Sequence, residues 1–293
     1  MDYHLIYDTS LTFIQMLTIA FLAPLASGVT KKTKALLQGR KGASIFQDYN
    51  DLRKWWQKET ITSPFTGPIF LLAPFIYLLT AFLAAFLLPL AETGLRLADI
   101  FVFVGVLAVG RFFMVLASFD AATAFGGMGG SRETFVAVLI EPVLFLSILL
   151  LALRTGETTI SGMMGVGGLE LNVSGILACT AFFILLLAEN GRLPIDNPDT
   201  HLELTMIHEG MLLEYSGRLL AIIHLASMIK SLLYILLFAF LFLPLDLPLA
   251  AKALLTTIAI AIMESLNNKL RLFKIQGYLL ATAGLLLLAV VAQ

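Results

Sequence analysis

The sequence predicts an all-α, polytopic membrane protein with about eight transmembrane helices. Of its 293 residues, 59% are hydrophobic and only 13% are charged, whereas a soluble domain carries roughly 25% charged residues. Apolar runs of about 20 residues, the length of a membrane-spanning helix, recur along the chain. The net charge of -1 gives no indication of a nucleic-acid partner. We therefore expect a single membrane domain over residues 1–293.

Eight apolar runs are long enough to act as spans. In chain order they are Thr9–Val29, Pro68–Leu90, Leu97–Phe119, Thr134–Leu153, Val173–Ala188, Leu219–Leu243, Leu249–Leu266 and Ile275–Val291. Acidic residues rather than a basic segment precede the first run, so we interpret it as a true span and not as a cleavable signal.

The distribution of Lys and Arg predicts the orientation. The first loop holds eight of the 19 basic residues, and the seventh adds Lys269, Arg271 and Lys274. Basic loops stay on the cytoplasmic side, and with eight spans all odd-numbered loops share one side. We expect cytoplasmic loops over about residues 30–67, 120–133, 189–218 and 267–274, both termini outside, and a multi-pass location in the cell inner (cytoplasmic) membrane.

The first loop also contains a predicted amphipathic helix. Ile45, Leu52, Trp55 and Trp56 fit one stripe of a helix whose opposite face is polar. A helix of this kind lies at the membrane surface with Trp at headgroup depth. Two interpretations stay open: an anchor on anionic lipid, and a docking strip for a soluble partner.

The third loop is rich in glycine, with four glycines in the five positions 126–130. Glycine permits tight turns and close backbone approach, so we expect an irregular loop here. A phosphate-binding loop would follow a strand and end in Gly-Lys-Ser/Thr, and this stretch does neither. We therefore reject nucleotide binding.

The fifth loop, residues 189–218, has the densest charge in the chain. It holds six of the 20 acidic residues and two of the four histidines. Carboxylates and imidazoles can relay protons near neutral pH. If Asp199–Leu213 is helical, His201, His208 and Glu209 fall near one face. A metal site is the less favoured alternative, because His-Glu-Gly-Met-Leu is not His-Glu-x-x-His.

Four ionisable residues lie inside predicted spans: Arg111, Glu141, Lys230 and Glu264. An ionisable group at a helix centre costs about 2.5–3.5 kcal/mol, so such groups usually face a partner or a wet cavity. Each of these residues could simply pair with a charged residue on a neighbouring helix, for example Arg111 with Glu141. Taken together with Glu189 at the end of the fifth span, they favour a hydrated polar route.

Three motifs resemble one family. They are Gly39-Arg-Lys-Gly-Ala-Ser-Ile-Phe-Gln-Asp-Tyr49, Ala188-Glu-Asn-Gly-Arg-Leu-Pro-Ile-Asp196 and Leu213-Glu-Tyr-Ser-Gly217, with Ser131-Arg-Glu133 between the first two. The chain resembles the membrane "heel" subunit shared by respiratory complex I and membrane-bound nickel–iron hydrogenases, and looks closer to the hydrogenase version. The resemblance covers nearly the whole chain.

The resemblance implies a subunit without a redox centre, not catalytic alone, that anchors a peripheral redox module and couples electron transfer to movement of protons or Na+. Implied partners are the hydrogenase large and small (iron–sulfur) subunits and antiporter-like membrane subunits, with the nickel–iron centre and iron–sulfur clusters in those partners. With the residue chemistry above, we expect the ion pathway to use Glu141, Glu189, Asp196, Asp199, Glu203, Glu209, Glu214, His201, His208, Lys230 and Glu264. Module docking is expected to use Arg40, Lys41, Gly42, Arg132, Glu133, Arg192 and Arg218.

The sequence departs from the family pattern at two places. Ala43 stands where relatives often have proline, and Asp196–Glu209 replaces a more acidic run. The second departure leaves open which acidic positions keep their roles and whether a quinone binds. Two alternatives therefore remain: a quinone-site-forming subunit of a NADH dehydrogenase-like complex, and a stand-alone secondary ion transporter.

Overall fold

The computed structural model describes residues 2–90, 99–166, 172–197, 205–243 and 248–292. Within these ranges the chain forms helices and no strand, apart from one isolated antiparallel bridge between Asp99 and Thr159. The helices are α1 (Asp2–Leu37), α2 (Gln47–Trp56), α3 (Pro68–Leu87), α4 (Ile100–Asp120), α5 (Ala124–Thr155), α6 (Ile160–Val166), α7 (Val173–Glu189), α8 (His208–Leu212), α9 (Gly217–Phe242), α10 (Leu249–Leu266) and α11 (Leu272–Val291). The predicted all-α class is confirmed.

Seven of the described helices are long and apolar enough to cross a membrane: α1, α3, α4, α5, α9, α10 and α11. Helix α7 is equally apolar but has 17 residues. The count of eight spans and the side on which the termini lie stay predictions.

Helix α9 is the central helix of the bundle. It packs against α1, α2, α3, α7 and α10. In its most apolar stretch 72% of the residues are buried, compared with 28% in α10 and α11. A helix that is apolar all round belongs in the interior, and α9 has that composition except for a few polar residues on one side. Those polar residues face the site described below.

The glycine-rich stretch is helical from Ala124 onward, so the irregular loop expected over 120–133 is limited to residues 121–123. Thr123 caps α5 by accepting a hydrogen bond from the Gly126 N–H, and Gly156 ends the helix in the left-handed region. Close backbone approach does occur. A Cβ added at Gly129 would lie 2.7 Å from the carbonyl carbon of Gly210, so glycine lets α8 rest directly on α5.

Helix α2 packs on α1 and α9 with a more polar inner face than the sequence predicts. Asp48 is buried on that face and pairs with Lys31 of α1 at 2.5 Å. Trp55 stacks on His224 of α9 with ring centroids 4.4 Å apart. Trp56, placed in the same apolar stripe by the sequence, is 56% exposed. The stripe is therefore divided between the bundle and the outer surface.

Candidate functional site

The local sequence at the end of α7 explains how Glu189 comes to lie inside the bundle. Gly191 adopts a left-handed conformation, with φ of 57°. The Gly191 N–H donates to the Ala188 carbonyl and the Arg192 N–H to the Leu187 carbonyl, which is a Schellman closure that glycine permits. The helix therefore ends immediately after Glu189 and the chain turns back, leaving this carboxylate 5% exposed.

Glu189 lies between two cations. Its Oε2 accepts hydrogen bonds from the Arg111 guanidinium of α4 and from Lys230 Nζ of α9, the latter at 3.2 Å. Arg111 also faces two carboxylates of α5, with 3.7 Å from Nη1 to Glu141 Oε1 and 3.9 Å from Nε to Glu133 Oε1. We call these five residues, from four helices, the central cluster. Buried charges that are paired in this way are costly to separate.

The central cluster is not fully hydrogen-bonded within the described residues. Glu189 Oε1 and Arg111 Nε are buried and have no hydrogen-bond partner there. A small cavity of about 30 Å³ adjoins them, lined also by Tyr77, Ser227 and His208. A space of about 10–15 Å³ is enough for one water molecule when two or more polar groups face it. The cavity can therefore hydrate the free oxygen of Glu189.

A second, larger cavity of about 300 Å³ lies between α1, α2, α9 and α10. Its polar and ionisable lining residues are Ser27, Thr30, Lys31, Lys34, Asn190, Arg192, Asp196, His208, Glu209, His224, Ser227, Ser231 and Glu264. The Lys31 side chain at its edge is 49% exposed, so the cavity reaches the surface of the chain.

Two further buried carboxylates lie on the larger cavity. Glu264 of α10 pairs with Arg192 at 3.2 Å and with Lys34 of α1 at 3.5 Å. Asp196 accepts hydrogen bonds from Lys269 at 2.6 Å, from the Asn197 N–H at 2.9 Å and from the His208 N–H at 3.1 Å. Glu264 therefore joins α10 to α1, and Asp196 joins the fifth loop to the seventh.

The structure brings together many of the residues proposed for the ion pathway. Glu141, Glu189 and Lys230 belong to the central cluster, whereas Asp196, His208, Glu209 and Glu264 line the larger cavity. Glu214 is half-buried near the start of α9 and lines neither cavity. Asp199, His201 and Glu203 lie outside the described residues. The condition that Asp199–Leu213 is one helix is not met, because residues 205–207 are not helical and α8 begins at His208.

The residues proposed for module docking occupy two kinds of position. Arg40, Lys41, Gly42 and Arg218 are exposed. The other three contact the chain itself: Arg132 donates to the Met206 carbonyl at 3.0 Å, Glu133 faces Arg111, and Arg192 pairs with Glu264. The side chains of Glu133 and Arg192 are therefore directed toward buried charges, and that of Arg132 toward the chain segment before α8.

Sequence reasoning overlooked Lys34, Asp48 and the contact between Trp55 and His224. A signal for Lys34 was present: Ser27, Lys31 and Lys34 follow one another at intervals of four and three residues, as on one face of a helix. The first span predicted from the sequence ends at Val29, although the helix continues to Leu37. At about 1.5 Å per residue the 36 residues of α1 span about 54 Å, well beyond the roughly 30 Å hydrocarbon core.

Comparisons with known proteins agree with this architecture. The sequence pattern of the NADH dehydrogenase family matches residues 10–292. Hydrogenase-4 component C of Escherichia coli K12 is 32% identical over 261 residues, which covers 86% of this chain and 81% of that protein. Formate hydrogenlyase subunit 4 of the same organism is 31% identical over 210 residues, covering 70% and 67%.

The fold also matches a solved structure. A chain of the membrane-bound sulfane sulfur reductase, an archaeal respiratory membrane complex, superposes with a TM-score of 0.86 at 18% identity, covering 96% of this chain and 98% of that one. At that identity the likeness concerns the fold alone. The family match over residues 10–292 and the two relatives confirm the resemblance drawn from the three motifs: the chain belongs to the NADH dehydrogenase family.

Proposed function

We propose that this chain is a membrane subunit of a hydrogenase-like or complex I-like respiratory complex, in which it couples electron transfer in a peripheral module to movement of protons or Na+ through its buried carboxylates. The observation that carries the proposal is the central cluster. It holds three carboxylates and two cations from four helices, beside the small cavity, which shares five lining residues with the larger one.

The charge balance of the central cluster suits a group that gains and loses a proton. Each cation favours the ionised form of a neighbouring carboxylate, and each carboxylate disfavours it in the others. With one carboxylate more than cations, the cluster can take one proton and become formally neutral. A change of charge elsewhere in the complex would shift that equilibrium, which is the form of coupling we propose.

The anchoring part of the proposal rests on the basic first loop. Arg40 and Lys41 are exposed beyond the end of α1, and α2 is fixed to the bundle through Asp48 and Trp55. A fixed and positively charged surface fits a peripheral module that approaches with negative charge. Two relatives are components of a hydrogenase and of formate hydrogenlyase. We infer hydrogenase large and iron–sulfur subunits and antiporter-like membrane subunits as partners, and the nickel–iron centre and iron–sulfur clusters would belong to those partners.

Affinity purification in mild detergent, with metal analysis and identification of retained subunits, tests the proposed partners. Nickel and iron with a hydrogenase large subunit would support the hydrogenase form. Iron without nickel, with a quinone-reducing partner, would assign the quinone-site alternative. A metal-free chain without partners would overturn the proposal and favour a stand-alone transporter.

Glu189→Gln tests the coupling part. The glutamine oxygen can still accept hydrogen bonds from Arg111 and Lys230, but the amide cannot take up a proton. In the complex reconstituted into vesicles and driven by reduced methyl viologen, we expect proton translocation to fall by at least about tenfold, the lower range for loss of one acid–base group.

The matched control is Glu59→Gln, which changes an exposed glutamate outside both cavities. It should leave translocation unchanged. All subunits should co-purify in both variants. Undiminished translocation in the Glu189→Gln complex would contradict the role of the central cluster.

A further inference from the structure

We propose that the side chain of His208 transfers protons between the larger cavity and the water space beside Glu189. This inference rests on the proposed function, and it names the point at which the two cavities are connected. It concerns a histidine at the start of α8, in the fifth loop.

The geometry assigns His208 because it lines both cavities. Five residues do so: Asn190, Gly191, Asp196, His208 and Ser227. Only Asp196 and His208 among them are ionisable. Both Asp196 oxygens already accept hydrogen bonds, from Lys269, the Asn197 N–H and the His208 N–H. The imidazole of His208 is the remaining ionisable group in this shared wall.

The acceptor on the inner side is also defined. Glu189 Oε1 is buried without a hydrogen-bond partner in the described part of the chain, and it adjoins the small cavity that His208 lines. That cavity, at about 30 Å³, has room for one or two water molecules. Water there can hydrogen-bond to Ser227 and connect the imidazole to Oε1.

The imidazole suits this step because one ring nitrogen accepts a proton while the other donates one. A proton arriving from water in the larger cavity binds the unprotonated ring nitrogen. The other nitrogen then releases its proton to water in the small cavity, from which Glu189 Oε1 takes it. A flip of the ring then exchanges the positions of its two nitrogens, so that the N–H again faces the small cavity and His208 can take the next proton.

The backbone of His208 is held independently of its ring. Its N–H donates to Asp196 Oδ2, and α8 rests on α5 through Gly129 and Gly210. The ionisable residues that share the larger cavity with it are Lys31, Lys34, Arg192, Asp196, Glu209, His224 and Glu264, and those at the small one are Tyr77, Arg111, Glu133, Glu189, Asp196 and Lys230. Replacing the ring should therefore leave α8 in place.

The test uses the intact complex with His208→Ala, reconstituted into vesicles and driven by reduced methyl viologen. We expect proton translocation to fall at least about tenfold and to recover when imidazole is added, because a free imidazole can occupy the space and carry the proton. Leu213→Ala, an exposed truncation just after α8, should change nothing. Glu189→Gln should not recover with imidazole, because its missing group is the acceptor.

The outcomes separate the two proposals. Normal translocation in His208→Ala with loss in Glu189→Gln would overturn this inference and leave the proposed function intact. A loss in His208→Ala without recovery by imidazole would also overturn it, because that result indicates a structural role. Normal translocation in both variants would overturn the inference and the proposed function together.

Discussion

Glu189 and Asp196 lie seven residues apart in sequence, and both are buried carboxylates paired with cations, yet their surroundings differ. The two oxygens of Asp196 together accept three hydrogen bonds, of which two come from backbone N–H groups. Glu189 has both cations on Oε2, and Oε1 has no partner among the described residues. Asp196 therefore has no oxygen left without a hydrogen bond, whereas Oε1 of Glu189 adjoins a cavity that can hold water.

This difference in hydrogen bonding suggests different roles for Asp196 and Glu189, two of the predicted pathway residues. Asp196 fixes the fifth loop to the seventh, where the Leu270 N–H also donates to the Pro194 carbonyl at 2.8 Å. We expect its loss to affect folding more than ion movement. Glu189 is the residue that we propose to change protonation during turnover, and we expect the opposite pattern for it. Variants at these positions and their neighbours can contradict that distinction.

The largest effect is expected from Arg111→Met. This change removes the cation shared by Glu133, Glu141 and Glu189 and leaves the buried Glu189 with Lys230 as its one remaining cation. Breaking a buried ion pair from one side costs about 3–5 kcal/mol, so the complex should lose thermal stability in detergent and assemble poorly. Arg111→Lys should keep part of that stability. Equal stability for wild type and Arg111→Met would show that the cluster is solvated rather than buried.

A smaller loss is expected from Asp196→Asn. The asparagine can still accept at one oxygen but loses its charge toward Lys269, and hydrogen bonds to charged groups contribute about 1.5–3 kcal/mol. Thermal stability should fall while proton translocation per folded complex remains near normal. Normal stability with loss of translocation would place Asp196 in the pathway and remove the contrast with Glu189.

The smallest effect tests how α8 is held. In Gly129→Ala the new Cβ would meet backbone atoms of Gly210 and Met211 at 2.7 and 2.8 Å, so α8 must move away, at a cost of about 1–3 kcal/mol. In Gly127→Ala nothing lies within 4 Å, and alanine should stabilise the helix by about 0.5–1 kcal/mol. Thermal unfolding of the two variants should shift in opposite directions. A shift in the same direction would mean that α8 does not rest on α5.

Much of the fold could be predicted because apolar runs of span length dominate the sequence. The errors occurred where a helix contains residues that usually interrupt one. The four glycines at 126–130 suggested a loop, but contact with α8 compensates for their low helix propensity. The lysines after Val29 suggested the end of α1, but a helix can continue into the polar surface, where Lys31 and Lys34 meet Asp48 and Glu264.

The site could be predicted in its residue types and less well in its pairings. Arg111, Glu141 and Lys230 stood out because ionisable groups in apolar runs require partners. Which carboxylate each cation would face depends on helix packing. The structure has the contact between Arg111 and Glu141 that the sequence suggested, and Arg111 also contacts Glu189 directly. Asp48 is surrounded by polar residues in the sequence, and only the packing of α2 on α1 explains its burial.

The polar residues of α9 have one further consequence. His224, Ser227 and Ser231 face the larger cavity, and Ser227 and Lys230 face the smaller, so one side of a single helix contributes to both. Turning α9 by one residue, about 100°, would withdraw all of them at once. The helix is fixed against such a turn: Tyr215, just before it, stacks on Phe70, and Gly217 abuts the Glu59 carbonyl. We therefore expect α9 to act as the stationary element, so that any displacement of the site residues during turnover arises in α8.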